Sequence, residues 1–157
     1  MEDYLRVTRE CPLNNMQPAL AAAIHDYIEK HDLGDVETAA LFCGETTATR
    51  QKKGLFGKKS EVILTGIMLT PRWLIWATGK EHEPPAVLAA QLNAIQVEDY
   101  ETSSMYRLVQ DSGMTISGLR TSGESGTAFI GLGPEPAAQK FRALLKKVVA
   151  AAGERMS

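Results

Sequence analysis

Ten residues, Arg50–Lys59, carry five cations and no acid. The run reads RQKKGLFGKK, with Arg50, Lys52, Lys53, Lys58 and Lys59 charged. The whole chain has a formal net charge of -2, so these cations stand out against the average. Gly54 and Gly57 bracket an apolar pair, Leu55 and Phe56. Strand-like sequence lies on both sides, which makes the run the tip of a β-hairpin. A tip with cations on its flanks and apolar side chains at its point suits an anionic surface. Each lysine near such a bilayer contributes roughly 1 kcal/mol. A leucine or phenylalanine fully withdrawn from water adds about 1.5–3 kcal/mol. The predicted contact residues are therefore Arg50, Lys52, Lys53, Leu55, Phe56, Lys58 and Lys59, and the predicted partner is a layer of anionic lipid headgroups. The same residues also fit a solvated loop that its lysines keep soluble.

Other fragments with a chemical look fail on spacing. Gly54–Ser60 (GLFGKKS) has two residues between its glycines where a phosphate-binding loop needs four. Gly131-Leu132-Gly133 lies between a strand and a helix, but Pro136 stands at the third glycine position. No strand follows that helix, so there is no βαβ unit to hold a dinucleotide. Gly123-Glu124-Ser125-Gly126 lacks the glycine two residues after the serine that a nucleophile elbow requires, having Thr127 instead. His25 and Glu29 share a helix face at i, i+4, and nothing nearby completes a zinc set. With three histidines in all, a histidine-based mechanism has few members to draw on. The acids Glu98, Asp99 and Glu101 read as a solvated turn. The expectation is no catalytic residue, no cofactor and no metal.

The background composition is that of a globular protein: 157 residues, 44% hydrophobic and 23% charged. That length predicts one domain burying roughly two-thirds of its unfolded surface. Cys11 and Cys43 are far apart in sequence, which argues against a disulfide framework and for a reducing compartment. No apolar run approaches the roughly 20 residues of a membrane span, and MEDYLRVTRE has no signal-peptide core. A cytoplasmic protein, peripheral at a membrane at most, is the expectation. Residues 1–37 hold eight acids (Glu2, Asp3, Glu10, Asp26, Glu29, Asp32, Asp35, Glu37) against three bases (Arg6, Arg9, Lys30). One basic spot on a mildly acidic chain argues against nucleic acid as the partner.

The elements that must position the basic tip follow from periodicity. Residues 1–16 show no clean pattern. Pro18 opens a helix over 18–32 with Leu20, Ile24, Tyr27 and Ile28 on one face, and Gly34 stops it. That stripe packs on its own domain or meets a protein partner. From Glu37 the texture turns to strands at 38–50, 60–70, 72–79, 86–91, 94–99, 104–111, 113–121 and 126–132. Residues 86–91 and 94–99 also read as one broken strand, or the former as a helical turn. Asp111-Ser112-Gly113 reads as a tight hairpin turn. Trp73 and Trp76 fall on opposite faces of one strand, so one belongs to the core and the other to a surface or groove. Phe141, Leu144, Leu145, Val148 and Val149 mark a terminal amphipathic helix opened by Pro136 and closed by Gly153.

The run Val62–Trp76 (VILTGIMLTPRWLIW) is similar to the second hairpin of bacterial pleckstrin-homology-like (PH-like) and GRAM-like domains. In those domains a strand ends in threonine, a two-residue turn follows, and an arginine with apolar residues opens the next strand. Thr70, Arg72, Leu74 and Ile75 fit that pattern, and Phe129-Ile130-Gly131-Leu132-Gly133 resembles the last strand running into the capping helix. The resemblance covers 37–152. It implies a fold that is α+β and mostly β: a seven-stranded antiparallel PH-like split barrel capped by the C-terminal helix, with an extra N-terminal helix. The organisation is then a 1–36 arm and helix packed on a 37–157 domain. It further implies a binding module, since the loop joining the first two strands supplies the cations in PH domains that bind phosphoinositides. The alternatives are an adaptor for a protein partner or for homo-oligomer formation through a sheet edge or the 18–32 helix, and an unrecognised enzyme.

Overall fold

A computed structural model describes the backbone of residues 4–54, 57–121 and 124–156, and the side chains of 4–50, 61–120 and 125–154. The chain is α+β and mostly β. Among the described residues, five strands form one antiparallel sheet: β1 (Leu5–Glu10), β2 (Phe42–Gly54), β3 (Gly57–Leu69), β4 (Trp73–Lys80) and β5 (Ala86–Gln91), hydrogen-bonded in that order. A second sheet has three: β6 (Gln96–Asp99), β7 (Gly113–Thr121) and β8 (Glu124–Gly131). Helix α1 (Pro18–Lys30) lies between β1 and β2 in sequence, and α2 (Pro136–Met156) ends the chain.

The two faces of the larger sheet bury two separate clusters. Phe42, Ile67, Leu74 and Trp76 face the three-stranded sheet, where Met114, Ile116 and Ile130 meet them. Helix α2 completes this core with Ala138, Phe141, Leu145 and Ala152. On the other face, Met68, Ile75 and Ala77 receive Leu20, Ile24 and Ile28 of α1. The stripe predicted for the first helix is therefore covered by its own sheet. Gln17 caps α1 through its side-chain oxygen, which accepts from the Ala19 and Leu20 amides at 2.9 and 3.2 Å. Gly66 lets the helix approach: a Cβ there would stand 2.5 Å from Met16 Sδ and 3.2 Å from Leu20 Cβ. Gly66→Ala is expected to destabilise the chain by about 1–2 kcal/mol, since only the methionine end yields easily. Urea unfolding reads this directly, and an unchanged midpoint would mean that α1 is not seated as described.

Helix α2 runs through its expected stop at Gly153 to Met156, and four further elements differ from the sequence expectation. Residues 5–10 form a strand where no periodicity was evident. There Leu5 (71% exposed) and Val7 (48% exposed) face solvent while Thr8 is buried. Polar Thr8 faces inward because it is bonded there: its hydroxyl meets Thr46 Oγ1 at 2.8 Å and accepts from the Gly133 amide at 2.9 Å. Second, the expected strand at 104–111 is absent. Short 3-10 turns at Tyr100–Thr102 and Ser104–Arg107 occupy the region, tied by Ser103 Oγ donating to Tyr100 O and Tyr100 Oη to Val109 O. Third, Asp111-Ser112-Gly113 is consequently no hairpin turn: Asp111 takes a bidentate contact from Arg6, with both distances 2.9 Å. Fourth, the backbone ladders group the strands as two sheets of five and three: among the described residues seven strands, β2–β8, fall within 37–157, and β1 joins the larger sheet from the N-terminal arm. Residues 86–91 and 96–99 are two strands, one in each sheet, separated by a 3-10 turn at Leu92–Ala94. The expected opposition of the tryptophans holds, with Trp76 in the core between the sheets and Trp73 packed against the α1 cluster.

Candidate functional site

The register of β2 and β3 sets the basic run apart from the rest of the sheet. Among the described residues, β1 pairs with β2 over Gly44–Thr49, and β4 pairs with β3 over Ile63–Leu69. The pairs Arg50↔Glu61, Gln51↔Ser60, Lys52↔Lys59, Lys53↔Lys58 and Gly54↔Gly57 continue beyond both neighbours. A two-stranded ribbon of about 17 Å therefore extends past the sheet, at roughly 3.4 Å per residue. The register sets Lys52 opposite Lys59 and Lys53 opposite Lys58. Like charges at directly opposed positions destabilise a strand pair.

Arg50 stands at the root of this ribbon. Its guanidinium pairs with Glu61 at 2.5 Å and lies over the Tyr4 ring at 5.0 Å. Lys80 reaches the other oxygen of Glu61 at 3.5 Å. The Arg6 guanidinium lies 4.9 Å from the same Tyr4 ring, so the root of the ribbon is tied to β1. Arg50 thus has a fastening role at the root. The side chains of Lys52, Lys53, Lys58 and Lys59, and Leu55 and Phe56 altogether, lie outside the described residues.

The acids at 98–101 do not form the solvated turn expected of them. Asp99 and Glu101 close around Arg142 of α2, whose side chain is 10% exposed. Arg142 Nη1 donates to Asp99 Oδ1 at 2.8 Å, to Glu101 Oε1 at 3.2 Å and to the Gly113 carbonyl at 3.0 Å, while Nη2 donates to Glu101 Oε2 at 3.0 Å. Lys146 adds a contact to Asp99 Oδ2. Burial alone would raise the pKa of Asp99, but hydrogen bonds from Lys146 and Arg142 outweigh it and hold the carboxyl below its ordinary value. Burial likewise works against the Arg142 cation, and its bonds to Glu101 and Asp99 keep the group charged. The arrangement joins α2 to the second sheet.

A depressed carboxyl pKa fixes the sign of the acid response. Asp99 stabilises the fold above its unfolded pKa, and this contribution is lost as pH falls from there through the lower folded value. Wild-type stability is expected to fall below about pH 4, with a shallower fall in Asp99→Asn. Urea unfolding across pH 2.5–7 tests this, and parallel curves for the two proteins would contradict it.

A cleft of about 660 Å³ opens at the far end of β3 from the ribbon. Arg72 and Trp73 of the β3–β4 turn line it with Asp32, Gln91 and Asn93. Of the two tryptophans, one of which was expected at a surface or groove, Trp73 is the one that lines this cleft. His25 pairs with Glu37 at 2.9 Å, and among the described residues no cluster of metal-binding side chains occurs. Among the same residues, no helix is long and apolar enough to cross a membrane.

The positioning role of Arg6, Thr8 and Asp111 was not foreseen. The one sequence signal was the apolar–polar alternation of Leu5-Arg6-Val7-Thr8, inverted relative to a strand with its apolar face inward. No protein-family model, no curated protein and no solved structure matches the chain.

Proposed function

We propose that the chain is a non-enzymatic PH-like module that docks on anionic membrane surfaces through the 50–61 ribbon. One observation carries this reading: the charged run sits on a ribbon that extends past both neighbouring strands. A ribbon so placed can reach a flat surface without the domain behind it intervening. The register places four lysines at two successive opposed positions, Lys52↔Lys59 and Lys53↔Lys58, which concentrates their charge on this ribbon. At roughly 1 kcal/mol each the four supply about 4 kcal/mol, which gives weak, reversible attachment unless Leu55 and Phe56 enter the interface. Arg50 serves here as the root anchor through Glu61 and Tyr4.

The PH-like part of the reading rests on element order. Strands β2–β5 form one antiparallel run, β6–β8 a second, and α2 packs between them. Strand β1 and helix α1 are additions to that plan. Residues 1–36 serve in this reading as a brace, with α1 seated on the outer face of the larger sheet.

The purified chain is expected to co-sediment with vesicles containing about a third anionic phospholipid and not with purely neutral ones. Equal binding to both, or to neither, would overturn the proposal. A protein-binding reading is favoured by different residues: Met105, Leu108 and Val109 are 51%, 76% and 55% exposed, and Met105 shares a shallow cleft with Phe129. A partner docked there would leave the ribbon free, so crosslinking that maps to the patch and survives ribbon mutation would support it.

A further inference from the structure

We propose that Cys11 and Cys43 form a reversible cross-strand disulfide that locks β1 onto β2. The β1–β2 register pairs Leu5 with Thr49 and Glu10 with Gly44, and one step further sets Cys11 opposite Cys43. The Cys11 amide donates to the Cys43 carbonyl at 3.0 Å, so the two backbones still face each other at this step. Directly opposed residues of antiparallel strands hold their Cα atoms about 4.5–5.5 Å apart, within the range that a disulfide spans. Both side chains lie on the α1 side of the sheet. Cys11 is buried with Leu13, Met16 and Leu20, and Cys43 packs against the same cluster. Both are free thiols in this structure.

Opposed residues of this kind have Cβ atoms up to about 5.5 Å apart, whereas a disulfide averages about 3.8 Å. Closing the bond draws the strands together locally. The resulting strain makes the bond easy to reduce, as labile and regulatory disulfides are. The sequence distance between the cysteines hides the pair, since α1 and its flanking turns fill the interval.

Glutathione disulfide serves as the oxidant. One cysteine thiolate attacks a glutathione sulfur, forming a mixed disulfide and releasing one glutathione thiolate. The second cysteine thiolate attacks the protein sulfur of that bond and releases the other. Two protein thiols lose two protons and two electrons, and one glutathione disulfide becomes two glutathiones. Burial raises both thiol pKa values, Cys43 to about 12. Attack in the closed state is therefore slow, and the reaction waits for β1 to lift from the sheet. Once formed, the bond fastens the strand whose Arg6 and Thr8 reach Asp111, Gly133 and Glu135.

Incubation of the full chain in glutathione buffers of increasing oxidation, followed by alkylation and intact mass measurement, tests the proposal. The expected product has lost two hydrogen masses and both alkylation sites together. Urea below the unfolding transition should speed its formation, and refolding in the same buffer should give the same species. Hydrogen exchange at Arg6–Glu10 should slow in that species. Cys11→Ser and Cys43→Ser should each give only the glutathione adduct. Adducts or disulfide-linked dimers in place of the internal bond, or no bond by either route, would overturn it.

Discussion

Replacing Arg142 by Met should lower the unfolding free energy by about 2–4 kcal/mol. Breaking a buried ion pair from one side typically costs about 3–5 kcal/mol, because the abandoned charge remains desolvated. The lower range applies here because Asp99 and Glu101 keep 26% and 37% of their side chains exposed. Methionine retains most of the arginine stem, so the loss reports the guanidinium. Its removal frees two carboxylates and the Gly113 carbonyl at once, with Lys146 left as a partner of Asp99. Adding Asp99→Asn and Glu101→Gln to Arg142→Met should recover much of the loss, because no unpaired carboxylate then remains and the Lys146 cation is half exposed to water. Urea unfolding of the single and triple variants decides the matter. A small loss in the single variant, or no recovery in the triple, would mean that the cluster is not what joins α2 to the second sheet.

Reversing Lys52, Lys53, Lys58 and Lys59 to Glu should remove binding to anionic vesicles altogether. Four attractions of roughly 1 kcal/mol become four repulsions of similar size, a swing of about 8 kcal/mol. This exceeds the roughly 3–6 kcal/mol that Leu55 and Phe56 would supply together if both were fully withdrawn from water. The fold should survive, since the four positions lie beyond the strands that β1 and β4 cover. The variant should keep the wild-type unfolding free energy within about 1 kcal/mol, as surface substitutions away from packed features do. Retained vesicle binding in a folded variant would shift the function away from the ribbon.

The strands and helices with one-sided burial were legible in the sequence. Helices α1 and α2 are found where Leu20, Ile24 and Ile28, and Phe141 and Leu145, predicted them. Strand β5 matched its predicted limits, and β7 did as well. The failures share a physical cause. In β1 the inward residues are Arg6 and Thr8, satisfied by partners more than a hundred residues away, and a hydropathy pattern carries no record of such partners. At 104–109 the apolar residues are exposed, so their strand-like texture misled. The cluster of Asp99, Glu101, Arg142 and Lys146 was invisible for a related reason. Its acids look like a surface turn until the fold brings a helix forty residues later against them. The basic ribbon was evident at once from composition. What the register adds is its extension past β1 and β4, which depends on where those strands stop and not on the run itself.

Binding of the wild-type chain to one-third anionic vesicles, followed from low to moderate salt, tests the central claim most directly. Exposed charges are screened over about 8 Å at physiological ionic strength. Attachment through the ribbon should therefore be strong at 20 mM salt and fall at least tenfold by 200 mM. Binding that does not change across that range would contradict an electrostatic ribbon as the means of attachment.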